Sequence, residues 1–187
     1  MLLGIVPPTS GEIFVLGQKV AGLDARLRTR IGVVPEHQSL YDDMTAWEYL
    51  TFFSSLRGVS NPKSRVSELL EYFDLLPYRD VRLGEYSHGM RQKVNIIRGV
   101  LHDTELLILD EPVMGLDPLG VRQVRDLILA QRERDKTVLI SSHILSEIEK
   151  TADRVGIMNK GRLVAEDLVD NIVKAVSYTH LTLPTKA

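Results

Sequence analysis

The chain has 187 residues, of which 44% are apolar, and a formal net charge of -2. This length and composition suffice for one sizeable core, and the near balance of charges argues against a surface that wraps nucleic acid. Cysteine is absent, which excludes disulfides and thiolate metal sites and makes the cytosol the expected location. No apolar run approaches the roughly 20 residues that span a bilayer, so any membrane contact is expected to go through a partner.

The first part of the chain predicts two short strands and a helix. Residues 11–17 alternate apolar and polar side chains, and residues 30–34 form an apolar run that a proline ends, so both are predicted strands. Thr45 and Glu48 have the spacing of a capping box. They predict a helix that continues to about Leu56.

Two more helices are predicted from their capping residues. Asn61 stands before a proline, and the helix that follows is expected to bury Val66, Leu69, Leu70 and Phe73. Ser87 is the predicted cap of the next helix. One face of that helix is apolar, and the opposite face is expected to carry Arg91, Lys93, Asn95 and Arg98.

The second half of the chain predicts a βαβ unit. Residues 106–109 and 137–141 are short apolar runs, typical of strands buried in a parallel sheet, and Asp117 before a proline begins a helix between them. Such a crossover places ligands at the carboxyl ends of its strands. A short helix at 146–152 and a hairpin around 159–161 are expected to close the domain.

Charged side chains follow both of these strands. Asp110 and Glu111 come directly after the first, where one carboxylate can hold Mg2+ while its neighbour orients water. An arbitrary acidic pair is more often a solvated loop, but the four apolar residues before this one favour a site. His143 follows the second strand and can lie beside the pair, although a lone histidine there is more often structural.

The start of the helix at Ser87 suits an anion. A hydroxyl and Gly89 stand where free backbone N–H groups and the helix dipole favour a phosphate. The simpler interpretation, more probable for this stretch alone, is an ordinary serine cap.

Taken in order, these segments resemble four motifs of the ATP-binding cassette (ABC) ATPases. The signature, Walker B, D-loop and H-loop correspond to Ser87-His88-Gly89, Leu106-Leu107-Ile108-Leu109-Asp110-Glu111-Pro112, Gly115-Leu116-Asp117-Pro118 and Ser142-His143. The resemblance runs from residue 1 to about 175. It implies an α/β fold with a P-loop NTPase-like parallel sheet and a helical subdomain at about residues 45–102, while residues 176–187 are predicted to be a disordered or foreign tail.

The resemblance assigns ATP and Mg2+ as ligands. It implies that Asp110 binds Mg2+ through water, that Glu111 polarises the attacking water, and that His143 touches the γ-phosphate. Glu36 replaces the usual Q-loop glutamine and can also reach Mg2+, directly or through water.

The resemblance also implies two protein partners. The first is a second ABC ATPase subunit, identical or different, whose ATP would contact the signature. Asp117 would couple the two sites. The residues on this face are Ser87, His88, Gly89, Met90 and Asp117. The second is a membrane permease, contacted by the segment from Glu36 to Trp47. The implied function is that of the ATP-hydrolysing subunit of an ABC membrane transporter, cytoplasmic and peripheral on the inner face of the membrane.

Two other functions are considered. A non-transport ABC ATPase, of the translation-factor or chromosome-maintenance type, would need a second cassette or long coiled-coil arms, which these residues lack. A purely structural or binding domain would make the ordered spacing of four motifs a coincidence. Nucleic-acid binding is not expected.

Two departures from the family pattern stand out. The signature reads Tyr-Ser-His-Gly-Met instead of the common Leu-Ser-Gly-Gly-Gln, a variant similar to exporter-type bacterial cassettes. None of the 13 glycines is followed by lysine, so the P-loop (Walker A) pattern does not occur. We therefore expect an amino-terminal truncation before the end of the P-loop helix, and an incomplete sheet. By themselves, the 187 residues are expected to be inactive and to bind Mg-ATP poorly, which a nucleotide titration would test.

Overall fold

The computed structural model describes residues 2–20, 22, 25–37 and 39–174. They fall into two compact units, the first ending at Ser141 and the second beginning at Ser142. The predicted tail at 176–187 lies outside the described residues. The single domain over residues 1–175 stays a prediction.

The strands of the described part are short. They are β1 (Phe14–Val15), β2 (Gln18–Lys19), β3 (Ile31–Val34), β4 (Leu106–Asp110), β5 (Thr137–Ser141), β6 (Arg154–Asn159) and β7 (Arg162–Leu168). The helices are α1 (Ala25–Thr29), α2 (Ala46–Leu56), α3 (Pro62–Tyr72), α4 (His88–Val100), α5 (Pro118–Arg132) and α6 (Leu145–Thr151). Residues 169–174 are also helical. No described helix is both long enough and apolar enough to cross a bilayer.

A three-stranded parallel sheet forms the centre of the first unit, in the order β3-β4-β5. Leu109 of β4 pairs with Val34 on one side and with Ile140 on the other, so the three carboxyl ends meet at one edge. Helix α5 connects β4 to β5, as the predicted βαβ unit requires. The predicted strand at 30–34 and the central buried strand at 106–109 are confirmed.

Helix α4 packs closely on β3 because two glycines face each other. A β-carbon added at Gly32 would overlap the Gly99 carbonyl, and one added at Gly99 would overlap the Val34 side chain. Absence of side chains at both positions therefore lets the helix and the strand approach backbone to backbone. This contact fixes the distance of α4 from the sheet.

Helices α2, α3 and α4 share one core with the sheet. The capping box predicted for α2 is present, since the Thr45 hydroxyl accepts from the Glu48 amide and the Glu48 carboxylate accepts from the Thr45 amide. The four side chains predicted from the spacing are buried: Val66, Leu69 and Leu70 on helix α3 and Phe73 at its C-cap. Asn61 precedes α3 as expected, but its side chain makes no capping hydrogen bond.

Three sequence-based predictions need correction. Residues 11–17 do not form one strand: the chain turns after Val15 and pairs β1 with β2 as an antiparallel hairpin. Asn95 does not lie on an exposed polar face of α4 but is fully buried. Strand β5 is not buried on both faces, because Val138 and Ile140 pack against the core whereas Leu139, on the opposite face, is 47% exposed.

The second unit contains a long hairpin. Strands β6 and β7 pair antiparallel around the predicted turn, with Asn159 opposite Arg162 and a register shift between Ile157 and Met158. Lys160 and Gly161 both have positive φ, which the tight turn requires. The hairpin prediction is confirmed, and its strands are longer than the sequence pattern indicated.

Candidate nucleotide site

The acidic pair lies at the carboxyl end of β4, the central strand. Asp110 is the last residue of that strand and pairs in register with Ser141 at the end of β5. The Ser141 hydroxyl donates to the Asp110 carboxylate. The Glu111 amide donates to both the Ser141 carbonyl (3.2 Å) and its hydroxyl (3.1 Å). Ser141 thus holds the side chain of Asp110 and the backbone of Glu111.

Glu111 leaves the strand in an unusual conformation. Its φ is +45°, in the left-handed region that non-glycine residues seldom adopt, and its carbonyl accepts from the Met114 amide (3.2 Å). Such a conformation costs on the order of 1–3 kcal/mol and is concentrated at functional sites. The alternation of side chains therefore ends at Asp110, and Glu111 is presented by a turn.

The carboxylates here fit a magnesium ion that is bound mostly by substrate and water. No cluster of three or more ligating side chains occurs among the described residues. Mg2+ commonly takes one or two protein carboxylates together with phosphate oxygens and water. Asp110 is exposed at the strand end, and Glu36 follows the neighbouring strand β3 by two residues. The Glu36 side chain is 41% exposed and lies 3.8 Å from His37.

The predicted anion site opens helix α4. Ser87 is the N-cap, and its hydroxyl accepts from the Met90 amide (3.3 Å). The His88 ring lies against Gly115, where an added β-carbon would overlap it. A β-carbon at Gly89 would come within 3.1 Å of the Gly115 carbonyl. The start of α4 therefore packs on the turn that follows the acidic pair.

Tyr86, the residue before the N-cap, holds the start of α4 in place. Its side chain is buried, and its hydroxyl donates to the Tyr78 carbonyl (2.8 Å). Burial, and to a lesser degree the nearby Asp80, raises the pKa of Tyr86 to about 12. The phenol therefore stays neutral and keeps its hydrogen bond to Tyr78. Tyr86 is fixed in this way, and it positions the adjacent Ser87.

Asp117 caps helix α5. Its carboxylate accepts from the Gly120 amide (2.9 Å), and a β-carbon at Gly120 would approach the same carboxylate to 2.8 Å. Within this chain Asp117 therefore stabilises the helix start. Its coupling role across a dimer stays a prediction.

Two buried side-chain amides on α4 also support the site, and the sequence motifs do not predict this role. The Gln92 side chain donates to the Pro112 carbonyl (2.9 Å), and the Asn95 side chain donates to the Pro35 carbonyl (2.9 Å). Pro112 directly follows Glu111, and Pro35 directly precedes Glu36. One helix thus holds the two loops that carry the acidic side chains. The detectable signal was the three-residue spacing of the amides, which places them on one helix face.

His143 belongs to the second unit. It follows β5 by two residues and is exposed, and the Ile144 amide next to it donates to the Ser142 hydroxyl (3.1 Å). Helix α6 begins two residues later, at Leu145. The expected proximity of His143 to Glu111 stays a prediction.

Comparison with known proteins gives the class of protein. A family model described as "ABC transporter" matches residues 1–114. That match covers more than half of the chain, so the chain belongs to the ABC transporter ATP-binding family.

Individual relatives are similar over most of the chain. The bacitracin transport ATP-binding protein BcrA of Bacillus licheniformis is 41% identical, over 93% of this chain and 57% of its own length. The linearmycin resistance ATP-binding protein LnrL of Bacillus subtilis is 35% identical, over 88% of this chain and 54% of its own length. The chain therefore spans little more than half the length of these curated relatives.

Solved structures share the fold. One described as the ATP binding subunit of an ABC transporter has a TM-score of 0.84 and 29% identity, covering 97% of this chain and 80% of that one. A dimeric ATP-binding cassette bound to ADP and Pi in a post-hydrolysis state has a TM-score of 0.79 and covers 88% of this chain and 76% of that one. Its 21% identity supports the fold alone. The predicted α/β fold class is confirmed.

Proposed function

We propose that these residues belong to the ATP-hydrolysing subunit of an ABC membrane transporter, which powers transport through a separate permease. The observation that carries the proposal is the acidic pair at the end of the central parallel strand, tied through Pro112 to the helix that Ser87 opens. The relatives named for bacitracin transport and linearmycin resistance favour a transporter over a translation or chromosome-maintenance ATPase.

Glu111 is the residue proposed to act on water. Its carboxylate accepts a proton from the water whose oxygen attacks the γ-phosphorus, while the bond from that phosphorus to the β-γ bridging oxygen breaks and gives ADP and phosphate. Asp110 and Glu36 are the residues that would hold Mg2+. The ion, when bound, neutralises charge on the phosphates. Ser141 keeps Asp110 and the Glu111 backbone in place.

The start of α4 is proposed to serve the ATP of a second cassette. Ser87, His88, Gly89 and Met90 offer a hydroxyl and backbone N–H groups at the positive end of a helix, which suit phosphate oxygens. Asp117 would couple the two sites, and His143 would contact the γ-phosphate within its own chain. Head-to-tail pairing would then complete each site.

The segment from Glu36 to Trp47 is the proposed permease contact. Tyr41 is 57% exposed, and Trp47 is half-buried beneath the Arg79 guanidinium at 5.2 Å from its ring. Tyrosine and tryptophan are enriched in protein interfaces. This contact would place the subunit in the cytoplasm, against the inner face of the membrane.

The first prediction tests this function in the full-length cassette. Glu111→Gln removes the proton acceptor while keeping size and shape, so kcat for ATP hydrolysis is expected to fall about 100-fold or more. ATP-dependent dimer formation, measured by size-exclusion chromatography, should persist because no binding group is lost.

The matched control is Glu133→Gln, which changes an exposed carboxylate on the C-cap residue of α5. It should leave kcat unchanged. Hydrolysis by Glu111→Gln at the rate of the unmodified cassette would remove Glu111 from its proposed role.

A further inference from the structure

A cavity of about 440 Å³ lies at the amino ends of β4 and β5. Asp110 and Ser141 are at the opposite, carboxyl ends of the same strands. The cavity is therefore separate from the proposed nucleotide site. Its volume falls within the range of about 300–1,000 Å³ typical of small-molecule sites.

The cavity is lined by more positive than negative groups. The positive side chains are Arg57, Arg65, Arg134 and Lys136, whereas the acidic side chain among the lining residues is Asp103. Asp103 forms an ion pair with Lys136, and its own side chain is 92% exposed. The acidic group thus lies mainly in solvent, while the Lys136 side chain is only 15% exposed.

Arg57 has positive neighbours and no carboxylate partner among the described residues. Its guanidinium donates to the Arg28 carbonyl (3.3 Å). Partial burial, followed by the charges of Arg98 and Arg28, lowers the pKa of Arg57. An anion that binds beside Arg57 would therefore stabilise its positive charge.

His102 adds an unused polar group to the same cavity. Both of its ring nitrogens are buried, and neither makes a hydrogen bond of normal geometry within the described part of the chain. The Ile31 backbone is near enough to raise the pKa of His102, but its contact lies outside normal hydrogen-bond geometry.

We propose that this cavity binds a compact phosphate anion of the di- or triphosphate type. Arginine guanidinium groups pair with phosphate oxygens through parallel hydrogen bonds, and Arg57 and Arg134 offer two such groups. Phenylalanine, tyrosine and tryptophan, whose large rings stack best on a nucleobase, are not found among the described lining residues. The phosphate groups are therefore the part that is recognised. The proposal does not depend on ATP hydrolysis.

The test uses the 187-residue chain and inorganic pyrophosphate in isothermal titration calorimetry, with ionic strength kept constant by sodium chloride. Saturable binding is expected, at least tenfold weaker when Arg57→Gln and Arg134→Gln are combined. The matched control combines Arg122→Gln and Arg154→Gln, whose side chains are 71% and 62% exposed and which lie outside the cavity. Equal affinities of the two double variants would overturn the proposal.

A second measurement locates the bound pyrophosphate in the unmodified chain, so its result does not depend on whether a variant folds. In two-dimensional NMR spectra of the unmodified chain, pyrophosphate should shift backbone amide signals of residues 57–60 and 100–104. Shifts confined to residues 87–90, or loss of binding in Ser87→Ala, would place the anion at the start of α4 and contradict the proposal.

Discussion

Glu111 illustrates how one residue can combine strain with precise support. Its left-handed φ is unfavourable, yet two hydrogen bonds from its amide to Ser141 hold it in place. The direction of the Glu111 carboxylate is therefore set by this turn and not by the regular geometry of strand β4. A sequence pattern reports the position of Glu111 after an apolar run, but it does not report this φ.

His102 leads to a second prediction, which concerns pH. Burial and then Arg57 lower the pKa of His102 below its ordinary value of 6.5, with Lys136 acting in the same direction, while Asp103 and the Ile31 backbone act in the opposite one. As the pH falls below about 6.5, the unfolded chain takes up a proton that the folded chain resists. The folded state is therefore expected to keep its full stability above this pH, and its free energy of unfolding is expected to decrease as the pH falls below it.

Thermal melting between pH 7.5 and 5.5 measures this effect. The melting temperature of the unmodified chain should decrease more over this interval than that of His102→Gln. The control variant, His37→Gln, changes a side chain that is 89% exposed and should behave as the unmodified chain does. A pH dependence that is the same in all three proteins would contradict the assignment.

At the level of elements, α4 connects the parts of the site. Its first residue packs on Gly115, Gln92 bonds to Pro112, and Asn95 bonds to Pro35. The glycine contact between Gly99 and β3 brings the helix close enough for both amides to reach these carbonyls. Helix α4 therefore carries the proposed anion site and also positions the loops that follow β3 and β4.

Asn95→Leu provides the third prediction. The substitution keeps the branched shape and the number of side-chain heavy atoms but leaves the Pro35 carbonyl without its donor and the Arg98 guanidinium without the acceptor that it has at 2.8 Å. We expect a loss of about 1–3 kcal/mol in the free energy of unfolding. Urea denaturation followed by circular dichroism measures it.

Ser64→Leu is the control, because it introduces leucine at an exposed position of α3. Its effect should stay within about 0.5 kcal/mol. A variant at Asn95 that is as stable as this control would show that the buried bond contributes nothing.

For the whole molecule, local sequence patterns predicted where helices and strands occur better than they predicted how deeply each element is buried. The apolar run of β4 and the capping residues Thr45, Ser87 and Asp117 each gave a correct strand or helix start, because these signals act within a few residues. Strand β5 has a similar apolar composition, yet it is an edge strand of the described sheet and one of its faces is exposed. Composition alone does not distinguish a central strand from an edge strand.

Long-range features were beyond such patterns. The sequence pattern places Asn95 on the polar face of α4 and makes no prediction for Gln92, whereas the burial of both depends on carbonyls that are far away in sequence. The residues of the cationic cavity extend from Thr29 to Lys136, so no segment of the chain shows them together. The motif order, in contrast, was sufficient to indicate the family, which the match over residues 1–114 confirms.

The most direct test of the proposed function is a structure of the full-length Glu111→Gln cassette with Mg-ATP. The predicted result is a two-chain assembly in which position 111 and His143 of one chain face the γ-phosphate, and Ser87 of the other chain contacts the same nucleotide. The contradictory result is a structure that places position 111 and His143 on opposite sides of the sheet, with Ser87 away from any phosphate.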